Sequence, residues 1–142
     1  MNTVNQILKT KGNDVFTIGP NTLAMDALKI MDEKGFGVLV IVENEELKGL
    51  FTEGDYISRV LLKGLDASST LVDDVMTKNV LTITPKKTLN ESMELMIEKD
   101  IRYFPVVDEG KLLGVISVGD CIKRIIVEQQ ETIGLLEQYI QS

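Results

Sequence analysis

Gly114-Val115-Ile116-Ser117-Val118-Gly119-Asp120 repeats, sixty-five residues later, the pattern Gly49-Leu50-Phe51-Thr52-Glu53-Gly54-Asp55. In each copy an extended apolar run ends, a hydroxyl stands at the turn, and a carboxylate follows three residues on, in the first turn of a helix. Working outward from these stretches, a shift of 65 aligns residues 15–60 with 80–125 without a gap. Val15-Phe16-Thr17-Ile18-Gly19-Pro20 meets Val80-Leu81-Thr82-Ile83-Thr84-Pro85. Met31, Glu33 and Lys34 meet Met96, Glu98 and Lys99; Val42 meets Val107; Leu47 and Gly49 meet Leu112 and Gly114; Ile57 and Arg59 meet Ile122 and Arg124. Matched Pro, Gly and Asp positions in one gapless register argue for an internal duplication rather than chance similarity of two amphipathic stretches.

Each copy has one grammar. A short β-rich piece (Val15–Ile18, Val80–Ile83) is closed by Pro20 or Pro85, which suits a strand end because proline cannot donate to a ladder. A helix follows. Leu89, Met93, Met96 and Ile97 recur at helical spacing with Thr88 as a cap, and Ala24, Ala27, Leu28 and Met31 match them in the first copy. Two extended runs come next, Gly37–Val42 and Leu47–Thr52, then Tyr103–Val107 and Lys111–Ser117, each pair joined by a polar turn as a hairpin. A second helix starts at Thr52 or Ser117. The expected fold is mixed α/β: two β-α-β-β-α units, packed sheet to sheet about a pseudo-twofold axis because units below about 60 residues are marginal alone. The expected segments are 1–66, the first repeat with its N-terminal segment; 72–128, the second; and 129–142, a helical extension. Residues 64–74 form the linker.

Composition bounds the function. The 142 residues hold 15 basic and 22 acidic side chains, a net charge of −7, so nucleic acid is not expected as a partner. There is no histidine and a single cysteine, Cys121, which removes Ser-His and Cys-His relays, the commonest zinc ligand and any intramolecular disulfide. No P-loop, Gly-x-Ser-x-Gly or metal constellation appears, so an enzyme ranks last. Val38-Leu39-Val40-Ile41-Val42 is the longest apolar run, too short for a membrane span, and the N-terminus lacks a basic, apolar leader; a cytoplasmic, folded protein is expected.

The Thr/Ser-x-x-Asp pattern has two readings, which the residues alone leave open. One is a capping box, with the hydroxyl on a free N–H and the carboxylate at the positive end of the helix dipole. The other is a ligand site. A helix N-terminus favours phosphate, and a short, fixed carboxylate can accept two hydrogen bonds from a ribose diol, each worth about 1.5–3 kcal/mol when charge-assisted.

With Thr88-Leu89-Asn90-Glu91-Ser92-Met93, Ile101-Arg102-Tyr103-Phe104-Pro105-Val106-Val107-Asp108 and the two Gly-Asp motifs in view, residues 4–130 resemble a tandem pair of CBS domains, the cystathionine-β-synthase-type repeats of a Bateman module. Its length resembles that of the free-standing two-repeat proteins of that family. The resemblance implies a regulatory, non-catalytic module binding an adenosine-containing ligand (AMP, ADP, ATP, NAD or S-adenosylmethionine) in the cleft between repeats. It also implies a homodimer and a regulated protein partner. It assigns ribose hydroxyls to Asp55 and Asp120, ribose or phosphate to Thr52 and Ser117, and backbone contacts with adenine to Thr17, Ile18, Thr82 and Ile83. Gly37, Val38 and Leu39, with Arg102, Tyr103 and Phe104, would line the base and phosphate pockets, and Lys11 would meet a phosphate. The repeats differ at two of these places. Gly37 and Val40 stand where the second copy has Arg102 and Pro105, and Gly54 stands where relatives often carry arginine. The Asp120 site is therefore expected to be the better nucleotide site. The rival is an interaction module whose motifs are helix caps only.

Arg102 reads either as a phosphate clamp beside a stacking ring or as an exposed arginine at a junction. Cys121 reads as a small buried hydrophobe, and Met25, Met31, Met93 and Met96 as core filler. Asp73 and Asp74 read as the cap of a short helix. Val118–Ile140 reads as one long helix, or as two broken near Gly134. Its apolar stripe would extend a dimer contact or fold back on its own chain.

Overall fold

The structure, a computed structural model, describes residues 2–12 and 15–141; the outermost residues of the expected first and third segments lie outside them. The chain runs α1 (Val4–Lys11), β1 (Thr17–Ile18), α2 (Ala24–Lys34), β2 (Val38–Glu43), β3 (Glu46–Thr52) and α3 (Glu53–Tyr56), which continues as a π-type turn through Leu61. The second copy follows with α4 (Val72–Val75), α5 (Leu89–Lys99), β4 (Tyr103–Asp108), β5 (Lys111–Ser117) and α6 (Val118–Gln141). Among the described residues no helix is long and apolar enough to cross a membrane.

Local chemistry explains the boundaries. Thr3, Thr52 and Thr88 each form a full capping box, with Gln6, Asp55 and Glu91. Helix α2 ends at Gly35 in the left-handed conformation, and α5 ends at Asp100 in the same one. Short helix α4 is capped by Leu71 without a side-chain bond; Asp73 and Asp74 sit within its first turn, where they favour the dipole instead of capping it. Helix α6 runs unbroken through Gly134.

The sheets are not equal. In the first, β1 pairs parallel with β2, and β2 antiparallel with β3. In the second, only β4 and β5 form a ladder, and the expected strand Val80–Ile83 shrinks to one bridge between Ile83 and Val106. The cause is Pro105. In the first copy the Val40 N–H donates to the Phe16 carbonyl at 3.0 Å. Pro105 occupies the equivalent place and has no N–H, so that rung cannot form.

Alternation along the strands makes three cores. Leu39, Ile41 and Phe51 face α2 in the first repeat, and Phe104, Val106 and Ile116 face α5 in the second. The opposite faces meet between the repeats through Val38, Val40, Leu50 and Val115. The cores do not follow chain order. Val4, Ile7 and Leu8 of α1 complete the second repeat's core, whereas Val72, Val75 and Met76 complete the first's. The exchange is reciprocal. Val4 and Asn5 donate to the carbonyls of Lys87 and Pro85, and Val72 and Asp73 donate to those of Thr22 and Pro20, all at 2.8–3.1 Å.

Two matched glycines let the exchanged segments approach. A Cβ at Gly49 would lie 2.5 Å from the Thr77 carbonyl oxygen, and one at Gly114 would lie 2.8 Å from a Leu8 methyl. The first obstacle is backbone and the second is the end of a flexible side chain. Gly49→Ala is expected to lower stability by about 1–3 kcal/mol and Gly114→Ala by clearly less, measured by urea unfolding.

Candidate functional site

The exchange that completes the second core also builds one wall of a cleft between the repeats. Strand β5 ends at Ser117, whose hydroxyl accepts the Asp120 N–H at 3.1 Å, while Asp120 Oδ2 accepts the Ser117 N–H at 2.8 Å. Lys11, the last residue of α1, reaches across the chain. Its Nζ lies 2.7 Å from Asp120 Oδ2 and also donates to the Val115 carbonyl at 2.7 Å. Among the described residues, Asp120 Oδ1 takes no hydrogen bond.

Around this ion pair lies a cleft of about 380 Å³. Its walls are apolar where Val38, Val40 and Val115 of the facing sheets meet, and aromatic where Phe16 and Phe36 enter. Those two rings pack at 4.8 Å between centroids, with the Lys34 ammonium 5.7 Å from the Phe16 ring centre. Arg102 and Tyr103 contribute a second cation and a phenol. Burial raises the Tyr103 phenol above its ordinary value; the Glu53 charge adds to this and Arg102 opposes it, so the group is a protonated donor at neutral pH. Beneath Asp120, burial and the Asp120 charge push the Cys121 thiol up to about 11, which suits a buried hydrophobe and not a nucleophile.

The equivalent place in the first repeat is built differently. Asp55 is buried and both its oxygens are occupied: Oδ2 accepts the Thr52 N–H at 3.0 Å and Oδ1 accepts the Thr77 hydroxyl at 2.9 Å. Met76 stands where Lys11 would be by the 65-residue shift, and its carbonyl accepts from Arg59 at 2.7 Å. A second hollow of about 530 Å³ lies nearby, lined by Thr52, Glu53, Gly54, Thr77, Asp100, Arg102 and Tyr103 among others. Gly37 lines both hollows. A Cβ there would lie 2.8 Å from both the Tyr103 hydroxyl and a Glu53 carboxylate oxygen.

Seven of the expected residues, Lys11, Gly37, Val38, Arg102, Tyr103, Ser117 and Asp120, come together in the first cleft. Thr52 lines only the second hollow. Asp55, Thr17, Ile18, Leu39, Thr82, Ile83 and Phe104 line neither. Leu39 and Phe104 fail by one residue of alternation, since Val38 and Tyr103 face the other repeat while their successors face the helices. Thr17 and Thr82 lie exposed at the outer edges, and Ile83 is taken into the second core. Val15, Phe16, Gly35, Phe36, Val40, Val115, Val118 and Gly119 also line the cleft and were not anticipated. For Val40 and Val115 the strand alternation held the signal; the placing of Phe16 and Phe36 depends on loop geometry that no period reveals.

The CBS domain family profile matches residues 4–62 and 72–127. The Arabidopsis thaliana protein CBSX3, named as mitochondrial, is 31% identical over 98% of this chain and 72% of its own length. The Bacillus subtilis CBS domain-containing protein YhcV is 30% identical, covering 82% of this chain and 83% of its own. Among solved structures, a CBS-domain protein from Burkholderia ambifaria superposes with a TM-score of 0.86 at 40% identity, over 89% of this chain and 96% of that one. CBSX2, solved in complex with AMP, shares the fold at 24% identity and a TM-score of 0.75, over 91% and 99% of the two chains.

The two aspartates make a stability prediction. Asp55→Ala strips a partly buried hydroxyl and a backbone N–H of their acceptor and should cost about 1–3 kcal/mol. Asp120→Ala, whose partner Lys11 reaches solvent, should cost about 1 kcal/mol, as a lost cap does. Urea unfolding of both variants checks the order.

Proposed function

Because the chain belongs to the CBS-domain family, we propose that it is a regulatory module binding an adenine nucleotide (AMP, ADP, ATP or NAD) in the cleft at the start of α6. The observation that carries this reading is one place where a fixed carboxylate, two cations and an apolar wall converge. Asp120 Oδ1 offers an acceptor to a ribose diol, Lys11 and Arg102 offer charge to phosphate, and the valine and phenylalanine walls offer a surface to a base. A cleft of about 380 Å³ is at the small end of ligand sites, which run about 300–1,000 Å³, and suits one small ligand. The fold accommodates such a ligand in CBSX2. In an acidic protein a phosphate needs local cations, and the first repeat, with Gly37 and Met76 in place of Arg102 and Lys11, offers none at those positions.

The mechanism is a population shift and not catalysis. Ligand binds residues of both repeats, favours the arrangement in which they converge, and so changes a surface that a regulated protein reads. A phosphate on Lys11 would compete with Asp120 for the same ammonium, releasing the carboxylate to the ribose.

A second reading has its own support: Ser117 and Asp120 already form a complete capping box and Lys11 already neutralises the carboxylate, as a ligand-free interaction module would have it. Calorimetric titration with AMP, ADP, ATP, NAD and S-adenosylmethionine separates the two. One ligand is expected to bind at one site per chain, at least about tenfold more weakly in Asp120→Ala. Asp55→Ala, though less stable, should keep its affinity within about twofold. No binding by any of the five, or equal affinity in Asp120→Ala, would favour the cap.

A further inference from the structure

Beyond its first turns α6 leaves the globule. Helix α6 spans 24 residues, about 36 Å, and from Glu131 to Gln141 every residue but Gly134 is exposed. Eight of its large apolar residues are exposed, and five of them fall on one line, with Val127, Leu135 and Tyr139 beside it. Ile122, Ile126, Ile133, Leu136 and Ile140 are 45, 47, 55, 57 and 81% exposed. With Gln129 between them they follow one another at spacings of four and three, the a/d alternation of a heptad. Ile126, Ile133 and Ile140 fall at a; Ile122, Gln129 and Leu136 fall at d.

We propose that this seam pairs with the α6 of a second copy as a parallel, in-register two-stranded coiled coil. Three features identify the occupant as another copy. Isoleucine at the three a positions Ile126, Ile133 and Ile140, with leucine at the d position Leu136, is the choice that favours two parallel strands; the other d positions hold Ile122 and Gln129. Burying the five apolar residues on both copies removes on the order of 1,000 Å², the size a specific interface needs. The charges also permit it. In a chain of net charge −7, the flanking g positions hold Ile125, Thr132 and Tyr139, and the e positions Lys123, Gln130 and Glu137. Glu128 and Glu131 fall at c and f, away from the seam, so no g–e contact between copies opposes like charges. This deepens the expected homodimer by naming its surface, and it stands whether or not the cleft binds a nucleotide.

Analytical ultracentrifugation of the full chain is expected to show a dimer. In the double variant Ile133→Asp/Ile140→Asp association should weaken roughly a hundredfold or more, with the unfolding midpoint of the repeats unmoved. Ile133→Cys should form an interchain disulfide under mild oxidation, whereas Leu135→Cys, at a c position, should not. A wild-type monomer, or a double variant that still dimerises at unchanged affinity, overturns the proposal. So does a failure of the Ile133→Cys bridge, which an antiparallel pair or a different interface would produce.

Discussion

Everything in this structure depends on the exchange of two short segments. A repeat of three strands or fewer and two helices cannot cover both faces of its sheet. Each takes the missing piece from the segment that precedes the other: α1 closes the second core and the residues around α4 close the first. The fit is close enough that glycine is required at Gly49, where the Thr77 carbonyl abuts the sheet. Neither repeat is therefore a domain in the energetic sense, since removing one would strip a wall from the core of the other. The same exchange carries Lys11 to Asp120, so the cleft's main ion pair is also a contact that docks α1. Site and fold share a part, and a ligand drawn to Lys11 necessarily acts on the packing between the repeats.

Duplication supplied two copies of a capping box, and the structure surrounds them differently. Asp55 is drawn into a closed set of bonds with Thr52 and Thr77 and, at 3.9 Å, Arg59. Asp120 keeps the same backbone bonds but faces a cleft and a partly exposed lysine. A buried carboxylate with a bond on each oxygen is less available to a ligand than Asp120, whose Oδ1 takes none among the described residues. The difference follows from a few positions. Lys11 matches Met76, and Arg102 matches Gly37, so the second copy's aspartate lies in a cleft with cations where the first has a thioether and a glycine packed close to Tyr103 and Glu53. A capping role and a binding role need not compete: the cap holds the carboxylate still, and stillness is what makes a carboxylate useful to a ligand.

The parts of this fold legible in the sequence are those fixed by local rules. The repeat, both hairpins and the caps at Thr88, Thr52 and Ser117 follow from period, turn residues and capping chemistry; that α6 runs through Gly134 does not, since the stripe suits one helix or two. What failed did so for identifiable reasons. The strand expected at Val80–Ile83 assumed that both copies pair alike, and the missing N–H of Pro105 was the unread signal. Leu39 and Phe104 were carried into the expected site with their neighbours although the pleat turns them the other way. The exchange of α1 and α4 was invisible because it is a long-range choice; Val4, Ile7 and Leu8 look equally able to cover either sheet. Asp55 shares its motif with Asp120 but not its surroundings, because a motif does not record who else bonds the carboxylate.

The architecture also sets what a bound ligand can do. Ser117 and Asp120 stand at the first turn of the helix whose far half carries the exposed seam, and between them α6 is unbroken. A helix transmits displacement well but stores no choice of its own; a signal needs two arrangements that a ligand binds unequally. In this molecule the contact between repeats holds the Lys11–Asp120 pair at 2.7 Å and leaves no spare room between Gly37 and Tyr103, and the proposed ligand would act there. Any change in how Asp120 is held would act on the first turn of the same unbroken helix, about 36 Å long, that carries the seam.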